Sequence, residues 1–312
     1  FLNSDINIIE KELEETIQPE SLLLKQASMH TLQAGGKRIR PVFVLLAGKF
    51  GHYDIHVLKN VAVALELIHM ASLVHDDVID DADLRRGQPT VKSKWDNKIA
   101  MYTGDFVFAL ALELMSNIKS SEAHKILANT IVEVTVGEIQ QIKDKYRFNQ
   151  SLKDYLRRIK RKTALLIAVS CQLGAVAAGV EEYDHKKLYQ FGYYVGMSYQ
   201  IIDDILDFTS TEKELGKPAG SDLLQGNITA PALFAMNNPR ILSEIEKVHE
   251  NMEPNEIGRI ISLIKQSGAI EKSFALSDHY LDKALTILEE LPENKAKKTL
   301  RDIAKYIGRR KF

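Results

Sequence analysis

Apolar residues recur at helical spacing along nearly the whole chain, and this periodicity limits the possible folds more than any other feature. Positions i, i+3, i+4 and i+7 are apolar in the segments 5–17, 22–33, 39–50, 56–82, 104–117, 122–144, 152–178, 185–209, 241–250, 255–266, 269–290 and 295–307. No convincing strand pattern is present. Glycines and prolines lie mostly between the segments, where helices are expected to end. The sequence therefore predicts an all-α fold of about a dozen helices.

Composition favours one large domain. The chain has 312 residues, of which 45% are hydrophobic and 27% are charged, and this is enough to bury a large core. The 8 prolines are scattered, and no Gly/Ser-rich or proline-rich linker interrupts the helical pattern. We therefore predict a single domain over residues 1–312.

The charge balance and the single cysteine exclude several classes of function. The formal net charge is −1, whereas a nucleic-acid partner calls for a basic excess or patch. The one dense basic run, at 157–162, is expected to be mostly a solvated helix face, with part of it available to an anionic ligand. Cys171 lies in an apolar run, so we expect a small core residue rather than a nucleophile or a disulfide partner.

The sequence shows no targeting or membrane-spanning pattern. No stretch of about 18 uninterrupted apolar residues is present, and the first residues resemble neither a signal peptide nor a transit peptide. We expect no transmembrane segment and a cytoplasmic location.

Two aspartate motifs with the same internal spacing end apolar helical runs, at 76–80 and at 203–207. Residues four apart on a helix lie on one face, about 6 Å apart along the axis, so the carboxylates repel each other by roughly 0.2–0.5 kcal/mol per exposed pair. A solvated acidic face would instead alternate Glu with Lys. Oxygen ligands favour a hard divalent cation, and Mg²⁺ combines one or two carboxylates with waters and substrate phosphates. We predict a magnesium-bound diphosphate between two such helices.

Cationic groups accompany both motifs. Lys37 and Arg40 lie three residues apart at a helix start preceded by glycines, where the helix dipole also attracts phosphate. His69 lies two turns before the first motif, and Arg85 and Arg86 follow that motif. Each alone also fits an ordinary basic turn or core histidine. Further donors near the second motif are Lys162, Thr163, Gln200 and Lys217. These groups exceed the needs of one diphosphate, so we predict a second, metal-free diphosphate site.

Several motifs together resemble those of the trans-isoprenyl diphosphate synthases, in the same order and with the same spacing along nearly the whole chain. They are Gly36-Lys37-Arg38-Ile39-Arg40-Pro41, Glu66-Leu67-Ile68-His69, His75-Asp76-Asp77-Val78-Ile79-Asp80, Arg85-Arg86-Gly87-Gln88-Pro89-Thr90, Gly104-Asp105-Phe106, Gly137-Glu138-Ile139-Gln140-Gln141, Gln200-Ile201-Ile202-Asp203-Asp204-Ile205-Leu206-Asp207 and Gly216-Lys217-Pro218. Within that family the chain is most similar to the catalytic components of bacterial two-component heptaprenyl diphosphate synthases of menaquinone synthesis.

The resemblance implies the isoprenoid synthase fold, a large helical bundle in which the two aspartate motifs face each other across a deep central cavity. It implies Mg²⁺, as three ions when diphosphate is bound, on Asp76, Asp80 and Asp203, assisted by Asp77, Asp204 and Asp207. The implied contacts of the allylic diphosphate are Arg85, Lys162, Thr163, Gln200 and Lys217. The implied contacts of isopentenyl diphosphate are Lys37, Arg40, His69 and Arg86, with the tail Arg309-Arg310-Lys311 closing over them.

The implied reaction is Mg²⁺-dependent head-to-tail condensation of isopentenyl diphosphate onto an allylic diphosphate, with farnesyl diphosphate as the expected starter. Cations stabilise the departing diphosphate, so the allylic C–O bond ionises in a site that excludes water. The isopentenyl double bond attacks, and loss of a proton to diphosphate leaves a product one isoprene unit longer. The implied product is heptaprenyl diphosphate, with hexaprenyl, octaprenyl or another length left open. The implied protein partners are a small non-catalytic subunit, a second copy of the chain, or both.

Product length is expected to depend on small residues below the first aspartate motif. Ala71 and Ser72 lie about 6–8 Å down the helix from Asp76, where short-chain members of the family have aromatic residues. Small side chains leave a tunnel open, so a long product is favoured. The wall continues along Ile68, Ala64 and Val61, and the candidates for its floor are Phe106, Ile131, Val132 and Val136.

Three alternatives and one departure from the family qualify this hypothesis. Glu66-x-x-His69 and Glu246-x-x-His249 have the spacing of di-iron helical bundles, but that interpretation leaves both aspartate motifs unexplained. A non-catalytic regulatory subunit would not need intact metal and cation sets. A terpene cyclase would need no isopentenyl site. The family usually has Gly-Lys where this chain has Gly226-Asn227, so the role of position 227 is in doubt.

Overall fold

The protein is described here by a computed structural model that covers residues 2–310. Within this range the α-helices are α1 (Asn3–Thr16), α2 (Leu22–Gln33), α3 (Ile39–Gly48), α4 (Ile55–Ile79), α5 (Val91–Lys94), α6 (Asn97–Met115), α7 (Ser121–Asp144), α8 (Leu152–Ile159), α9 (Leu165–Ala177), α10 (Glu182–Thr209), α11 (Glu212–Leu215), α12 (Ser221–Leu224), α13 (Ala230–Ala235), α14 (Pro239–Ile245), α15 (Pro254–Gln266), α16 (Ala269–Glu289) and α17 (Lys295–Gly308). A π-helix (Lys160–Ala164) lies between α8 and α9, and two short strands, β1 (Leu84–Arg85) and β2 (Gln88–Pro89), follow α4. The predicted all-α fold is confirmed.

The described residues divide into two compact units. The first comprises the residues up to Leu127 together with Ser170–Leu188, and the second comprises Ala128–Val169 and the residues from Tyr189 onward. The single domain inferred from the sequence stays a prediction.

Helix α4 is central to the first unit. It packs against α1, α3 and α6, and its middle turns from Val61 to Leu67 are buried on every side. A helix that is apolar all round is expected to lie in a core. By length and composition alone α4 could also cross a membrane, but 67% of its apolar window is buried inside the protein. Asp54 caps the helix by accepting a hydrogen bond from the His56 N–H at 2.9 Å.

Helix α10 is anchored in the core of the second unit. Its residues Ile201, Ile202, Ile205 and Phe208 are almost fully buried in one hydrophobic cluster with residues of α13, α15 and α16. Helix α13 packs against α15 and α16, and α16 packs against α17. Because these apolar residues alternate with the second aspartate motif on the same turns, the core fixes the helix that carries the carboxylates.

A π-helix interrupts a segment for which the sequence predicts one continuous helix, 152–178. The structure has α8, the π-helix and α9 in that segment, so this prediction was wrong in detail. Its five residues include Lys162 and Thr163, which the resemblance places at the diphosphate. Single-turn π segments occur frequently at functional sites, and hydrophobic periodicity does not reveal them because the apolar pattern continues on both sides.

A two-residue hairpin turn, also absent from the sequence-based prediction, places the paired arginines. Strands β1 and β2 pair antiparallel, with Arg85 opposite Gln88. Arg86 and Gly87, the two turn residues, have φ values of +52° and +75°. Positive φ at both central positions is typical of a type I′ turn. Gly87 adopts this conformation without steric cost, because it has no Cβ atom, whereas Arg86 adopts it at a steric cost. The hairpin therefore carries two successive arginines, Arg85 on β1 and Arg86 in the turn.

Helix α10 approaches the π-helix closely at Gly196. A Cβ atom built on Gly196 would lie 2.6 Å from the Ala164 Cα, which is backbone and not easily displaced. We expect Gly196→Ala to lower the free energy of unfolding by about 1–3 kcal/mol, because the two backbones must separate. Urea denaturation measures the change.

Gly258→Ala is the matched control for that variant. Gly258 also lies inside a helix, α15, but a Cβ there would meet nothing within 4 Å. We expect this change to be neutral or stabilising by about 0.5–1 kcal/mol, since alanine is the better helix former. Equal effects of the two substitutions would contradict the close approach of α10 to the π-helix.

Candidate active site

The first aspartate motif lies at the C-terminal end of α4, where its three carboxylates differ in exposure. Asp77 is 5% exposed, whereas Asp76 is half-buried and Asp80, the residue that caps the helix, is exposed. Arg85 binds Asp77 through its Nε at 3.0 and 3.1 Å from the two oxygens and its Nη2 at 2.7 Å from Oδ1. This bidentate pairing neutralises the buried carboxylate and orients β1 against the helix end. Asp76 and Asp80 are the carboxylates that solvent can reach.

The second motif on α10 shows the same division. The side chain of Asp203 is 39% exposed, whereas Asp204 and Asp207 are 5% and 2% exposed. Asp204 accepts hydrogen bonds from the Tyr155 hydroxyl at 2.5 Å and from the Gln200 amide at 2.9 Å. The amide oxygen of Gln200 in turn accepts from Thr163 at 2.6 Å. Three predicted diphosphate or metal residues are thus joined by hydrogen bonds, together with Tyr155.

Asp207 is held by groups from the loop after α11 and from α12. It forms a salt bridge with Lys217 at 2.8 Å, and it accepts hydrogen bonds from the Ser221 hydroxyl and the Asp222 N–H, both at 3.2 Å. Lys217 also lies 3.1 Å from Asp222. The glycine-flanked lysine predicted to contact a diphosphate is therefore at the second motif, between two carboxylates.

Burial and mutual repulsion raise the pKa values of these carboxyl groups. Burial, with the nearby charge of Asp222, raises the pKa of Asp204 to about 8, although hydrogen bonds from Tyr155 and Gln200 act in the opposite direction. The same two causes raise the pKa of Asp207 to about 6, and Lys217 opposes them. A bound cation would favour the charged forms of these carboxylates and lower their pKa values again. Crowded carboxylates are therefore a favourable environment for a cation.

Four arginines surround His69 in the first unit. Burial lowers the pKa of His69 well below its ordinary value, and the charges of Arg40, Arg86, Arg85 and Arg38 lower it further. The imidazole is therefore neutral near pH 7 and the net charge around it comes from guanidinium groups. The same region forms a pocket bordered by Gly35, Arg38, Glu66, His69, Asp77, Arg85 and Arg86. Three arginines border this pocket, of which Arg38 and Arg85 are paired with Glu66 and Asp77, and guanidinium groups suit an anionic ligand such as a diphosphate.

The predicted isopentenyl set is only partly gathered at this pocket. His69 and Arg86 line it, and Arg86 donates a hydrogen bond from Nη1 to the Gly35 carbonyl. Arg40 acts on His69 through its charge. Lys37 is exposed in the segment before α3 and does not border the pocket.

Arg38 is a buried member of the motif whose role sequence reasoning missed. It adopts φ = +48° at the start of α3, donates from Nε to Glu10 at 2.5 Å and from Nη1 to Glu66 at 3.2 Å. Arg38 thereby joins the start of α3 to α1 and α4. These contacts hold the backbone of the motif in which Lys37 and Arg40 also lie. Glu66, considered as a di-iron ligand from its spacing to His69, is instead the buried partner of Arg38. The sequence shows both residues but not that they pair.

The basic run at 157–162 is mostly solvated, as expected, since Arg157, Lys160 and Lys162 are exposed, and Arg158 is its buried exception. Arg158 is 6% exposed and donates to Asp144 at 3.3 Å, to Gln150 at 2.6 Å and to the Ile228 carbonyl. The last contact holds the segment beside Asn227, the position that departs from the family. Lys162 is exposed and donates to Gln141 at 2.9 Å.

The C-terminal tail contributes to the second motif. Arg310 is 8% exposed, donates from Nη2 to Asp203 and stacks with its guanidinium 4.3 Å from the Tyr199 ring centroid. Arg310 thus pairs with an aspartate of the second motif, and the predicted closure of the tail over the isopentenyl contacts stays a prediction. Lys311, the last residue of the predicted basic tail, lies outside the described residues.

The predicted chain-length residues are small and lie on α4. Ala71 is 2% exposed, and the Ser72 hydroxyl donates to the His69 carbonyl at 2.7 Å. Of the floor candidates, Val132 and Val136 are 60% and 45% exposed. Cys171 is buried, which raises the pKa of its thiol, so the predicted core role of this residue is confirmed.

A magnesium ion fits the chemistry of these carboxylates. All six candidate ligands supply hard oxygen atoms, as Mg²⁺ prefers. Over residues 2–310 no three His, Cys, Asp or Glu side chains already converge as a metal-binding group. Instead, the contacts above pair the aspartates with guanidinium, ammonium, hydroxyl and amide donors. Of the six, Asp76, Asp80 and Asp203 are the more exposed, and Asp203 lies beside Arg310.

Comparisons with known proteins identify the family. The profile described as Polyprenyl synthetase matches residues 21–266. The chain is 63% identical over 312 residues to heptaprenyl diphosphate synthase component 2 of Bacillus subtilis (strain 168). This match covers 100% of this chain and 90% of that protein. It resembles the crystal structure of heptaprenyl diphosphate synthase from Staphylococcus aureus with a TM-score of 0.96 at 46% identity, over 99% of this chain and 98% of that one. A polyprenyl synthase of Caulobacter crescentus CB15 in complex with calcium and isoprenyl diphosphate gives a TM-score of 0.94 at 32% identity. The match covers 99% of this chain and 95% of that one.

The chain therefore belongs to the polyprenyl synthetase family. Its helical architecture is the isoprenoid synthase fold. It is an enzyme, a prenyltransferase, as its motifs predicted.

The buried Arg38–Glu66 pair provides a test of this site. We expect Arg38→Met to lower the free energy of unfolding by about 3 kcal/mol, because it leaves the Glu66 carboxylate buried without its counter-ion. Adding Glu66→Met should recover most of that loss, since replacing both partners removes the uncompensated charge. Urea denaturation of the single and double variants measures both effects.

Lys11→Met serves as the control, because the Lys11–Glu15 pair is exposed and should leave the denaturation midpoint unchanged. A double variant no more stable than Arg38→Met would show that the pair does not act as a unit.

Proposed function

We propose that this protein is a long-chain trans-polyprenyl diphosphate synthase whose product is heptaprenyl diphosphate. The observation that carries the proposal is its similarity over the full chain to heptaprenyl diphosphate synthase component 2, with both aspartate motifs and their cationic partners in place. The reaction is head-to-tail condensation of isopentenyl diphosphate onto an allylic diphosphate, with farnesyl diphosphate as starter. The product side chain serves menaquinone synthesis, as the resemblance implies.

Asp76, Asp80 and Asp203 hold Mg²⁺ in this proposal, and Asp77, Asp204 and Asp207 support them from buried positions. The support for this division is exposure, since the first three reach solvent and the last three are enclosed by protein donors. Bound Mg²⁺, as three ions with diphosphate, supplies charge that stabilises the departing diphosphate. The relative from Caulobacter crescentus, which holds calcium and isoprenyl diphosphate, agrees with an oxygen-ligated divalent ion beside this type of substrate.

The chain's own cationic groups divide between the two substrates. Arg85, Lys162, Thr163, Gln200 and Lys217 orient the allylic diphosphate, and Lys37, Arg40, His69 and Arg86 bind isopentenyl diphosphate. The arginines around His69 support the second assignment, because guanidinium groups bind phosphate, and burial together with their charges keeps the imidazole neutral. The allylic C–O bond breaks with its electron pair on diphosphate, the isopentenyl double bond forms the new C–C bond, and the proton lost goes to the released diphosphate.

A small non-catalytic subunit is the proposed partner, with a second copy of the chain as a further one. The support is the name of the Bacillus subtilis relative, which is one component of a synthase. We place the enzyme in the cytoplasm, where its diphosphate substrates dissolve, although its product is lipophilic.

Product sizing tests the proposal directly. The enzyme is incubated with farnesyl diphosphate, isopentenyl diphosphate and Mg²⁺, with and without the small subunit, and the products are separated by chain length. We expect a product of seven isoprene units. A product of six or eight units would overturn the heptaprenyl assignment, and no extension under either condition would overturn the synthase assignment.

Aspartate substitutions test the metal assignment. We expect Asp76→Asn and Asp203→Asn each to lower kcat by about a hundredfold or more, because each removes an accessible metal ligand while keeping the side-chain shape. Thermal unfolding should change little. Asp302→Asn, at an exposed position of α17, should retain full activity. Activity of either motif variant within about tenfold of the parent would contradict the assignment.

A bulky residue at position 71 tests the tunnel. We expect Ala71→Phe to shorten the main product to three or four isoprene units, because a phenyl ring would fill the path of the growing chain about 6–8 Å below Asp76. Ala71→Ser, which keeps a small side chain, should leave the product unchanged. Unchanged product length in a folded, active Ala71→Phe enzyme would show that the chain grows along another wall.

A further inference from the structure

Tyr155 is fully buried, yet its hydroxyl is bound to one of the six aspartates. The residue lies on α8, has no exposed surface and belongs to the hydrophobic cluster that also contains Ile205 and Phe208 of α10. Its hydroxyl donates to Asp204 Oδ2 at 2.5 Å. A phenol placed this deep in an apolar cluster needs a polar partner, and the carboxylate supplies it.

The other carboxylate oxygen of Asp204 is bound to two residues that are predicted to contact the allylic diphosphate, Gln200 directly and Thr163 through Gln200. Asp204 Oδ1 accepts from Gln200 Nε2 at 2.9 Å, and Gln200 Oε1 accepts from the Thr163 hydroxyl at 2.6 Å. Four side chains therefore form one chain of hydrogen bonds, Tyr155 to Asp204 to Gln200 to Thr163, which links α8, α10 and the π-helix. We call this set the Tyr155 relay.

The relay leaves the Gln200 amide one favourable orientation. If the amide were flipped, its oxygen would face the Asp204 carboxylate, and two acceptors would repel each other. The carboxylate can hold the amide in this way only while it is itself held, and Tyr155 is the donor on its other side. Removing the hydroxyl frees Asp204 to rotate and Gln200 to follow it.

The remaining aspartates of the motif are held by different groups. Asp207 is bound by Lys217, Ser221 and the Asp222 N–H, and Asp203 is partly exposed beside Arg310. Both donors to Asp204 are neutral side chains, so the relay positions this group through hydrogen bonds alone, without a counter-ion. That combination suits a residue that orients neighbours for a cation and a diphosphate.

We propose that Tyr155 is a positioning residue of the second aspartate motif, whose buried hydroxyl holds Asp204 so that Gln200 and Thr163 stay oriented toward the metal-bound allylic diphosphate. This inference rests on the proposed function for the identity of the ligand. Tyr155 itself touches neither substrate nor metal, and it acts through Asp204.

The test is Tyr155→Phe, which removes one oxygen atom and keeps the ring in the core. The probe is Mn²⁺ with inorganic diphosphate, and binding to the full chain is measured by electron paramagnetic resonance. We expect the Mn²⁺ affinity in the presence of diphosphate to fall about tenfold, the order expected for losing a hydrogen bond to a charged group. In steady-state assays the KM for the allylic diphosphate should rise by a similar factor, and the KM for isopentenyl diphosphate should not change.

Tyr53→Phe is the matched control. The Tyr53 hydroxyl donates to Asp5 at 2.6 Å in the first unit, so this variant also removes a tyrosine–carboxylate hydrogen bond, and neither aspartate motif takes part in it. It should leave Mn²⁺ binding and both KM values unchanged. Equal losses of Mn²⁺ affinity in the two variants, or an affinity of Tyr155→Phe within about twofold of the parent, would overturn the proposal.

A second pair of variants decides whether Tyr155 acts through Asp204, and it also serves if Tyr155→Phe folds poorly. Tyr155→Phe/Asp204→Leu removes the donor and the buried charge together, which restores a consistent apolar core. Its Mn²⁺ affinity should equal that of Asp204→Leu alone. A weaker affinity of the double variant would show that Tyr155 acts independently of Asp204. The Mn²⁺ titration needs no prenyl substrate, so failure of the proposed synthase activity would appear separately, as absence of chain extension by the parent.

Discussion

Compensation of buried carboxylates is the constraint on which the rest of this structure depends. Asp77, Asp204 and Asp207 lie on helices in the protein interior, and an uncompensated buried charge costs several kcal/mol. Each is held by groups from another element: Arg85 from the hairpin, Tyr155 from α8 and Lys217 from the loop after α11. The hairpin, α8 and the loop are therefore held to the acidic motifs by polar contacts in addition to apolar packing.

The aspartates also differ in exposure. Asp77, Asp204 and Asp207 are enclosed by the protein, whereas Asp76 and Asp203 are half-buried and Asp80 is exposed. Besides its own aspartate motif, the first unit gathers arginines around the neutral His69. Carboxylate oxygens suit a divalent cation and guanidinium groups suit phosphate, which are the two chemistries that the proposed metal-bound and metal-free diphosphates require.

Sequence periodicity and motif spacing predicted much of this arrangement. Helix α4 and helix α10 were expected from their apolar spacing, and the aspartates were expected on one face near the end of each. The π-helix at Lys160–Ala164 was missed, because the apolar pattern runs through it unchanged. Arg158 was expected in a solvated run and is buried, because Asp144 and Gln150 compensate its charge. Neither partner is marked in the sequence, since a hydrogen bond between distant residues leaves no periodic signal.

The amino-acid sequence was sufficient for the helical class, for the two oxygen-rich motifs and for the family, because each depends on residue type at short, regular spacing. It could not show that Tyr155 binds Asp204, that Arg38 joins Glu10 to Glu66, or that Arg310 reaches Asp203. These pairings join residues far apart in the chain, and which of several chemically suitable donors meets a given carboxylate depends on how whole helices pack. Helical spacing specifies the face on which a side chain lies, and only the folded protein specifies which side chain lies opposite it.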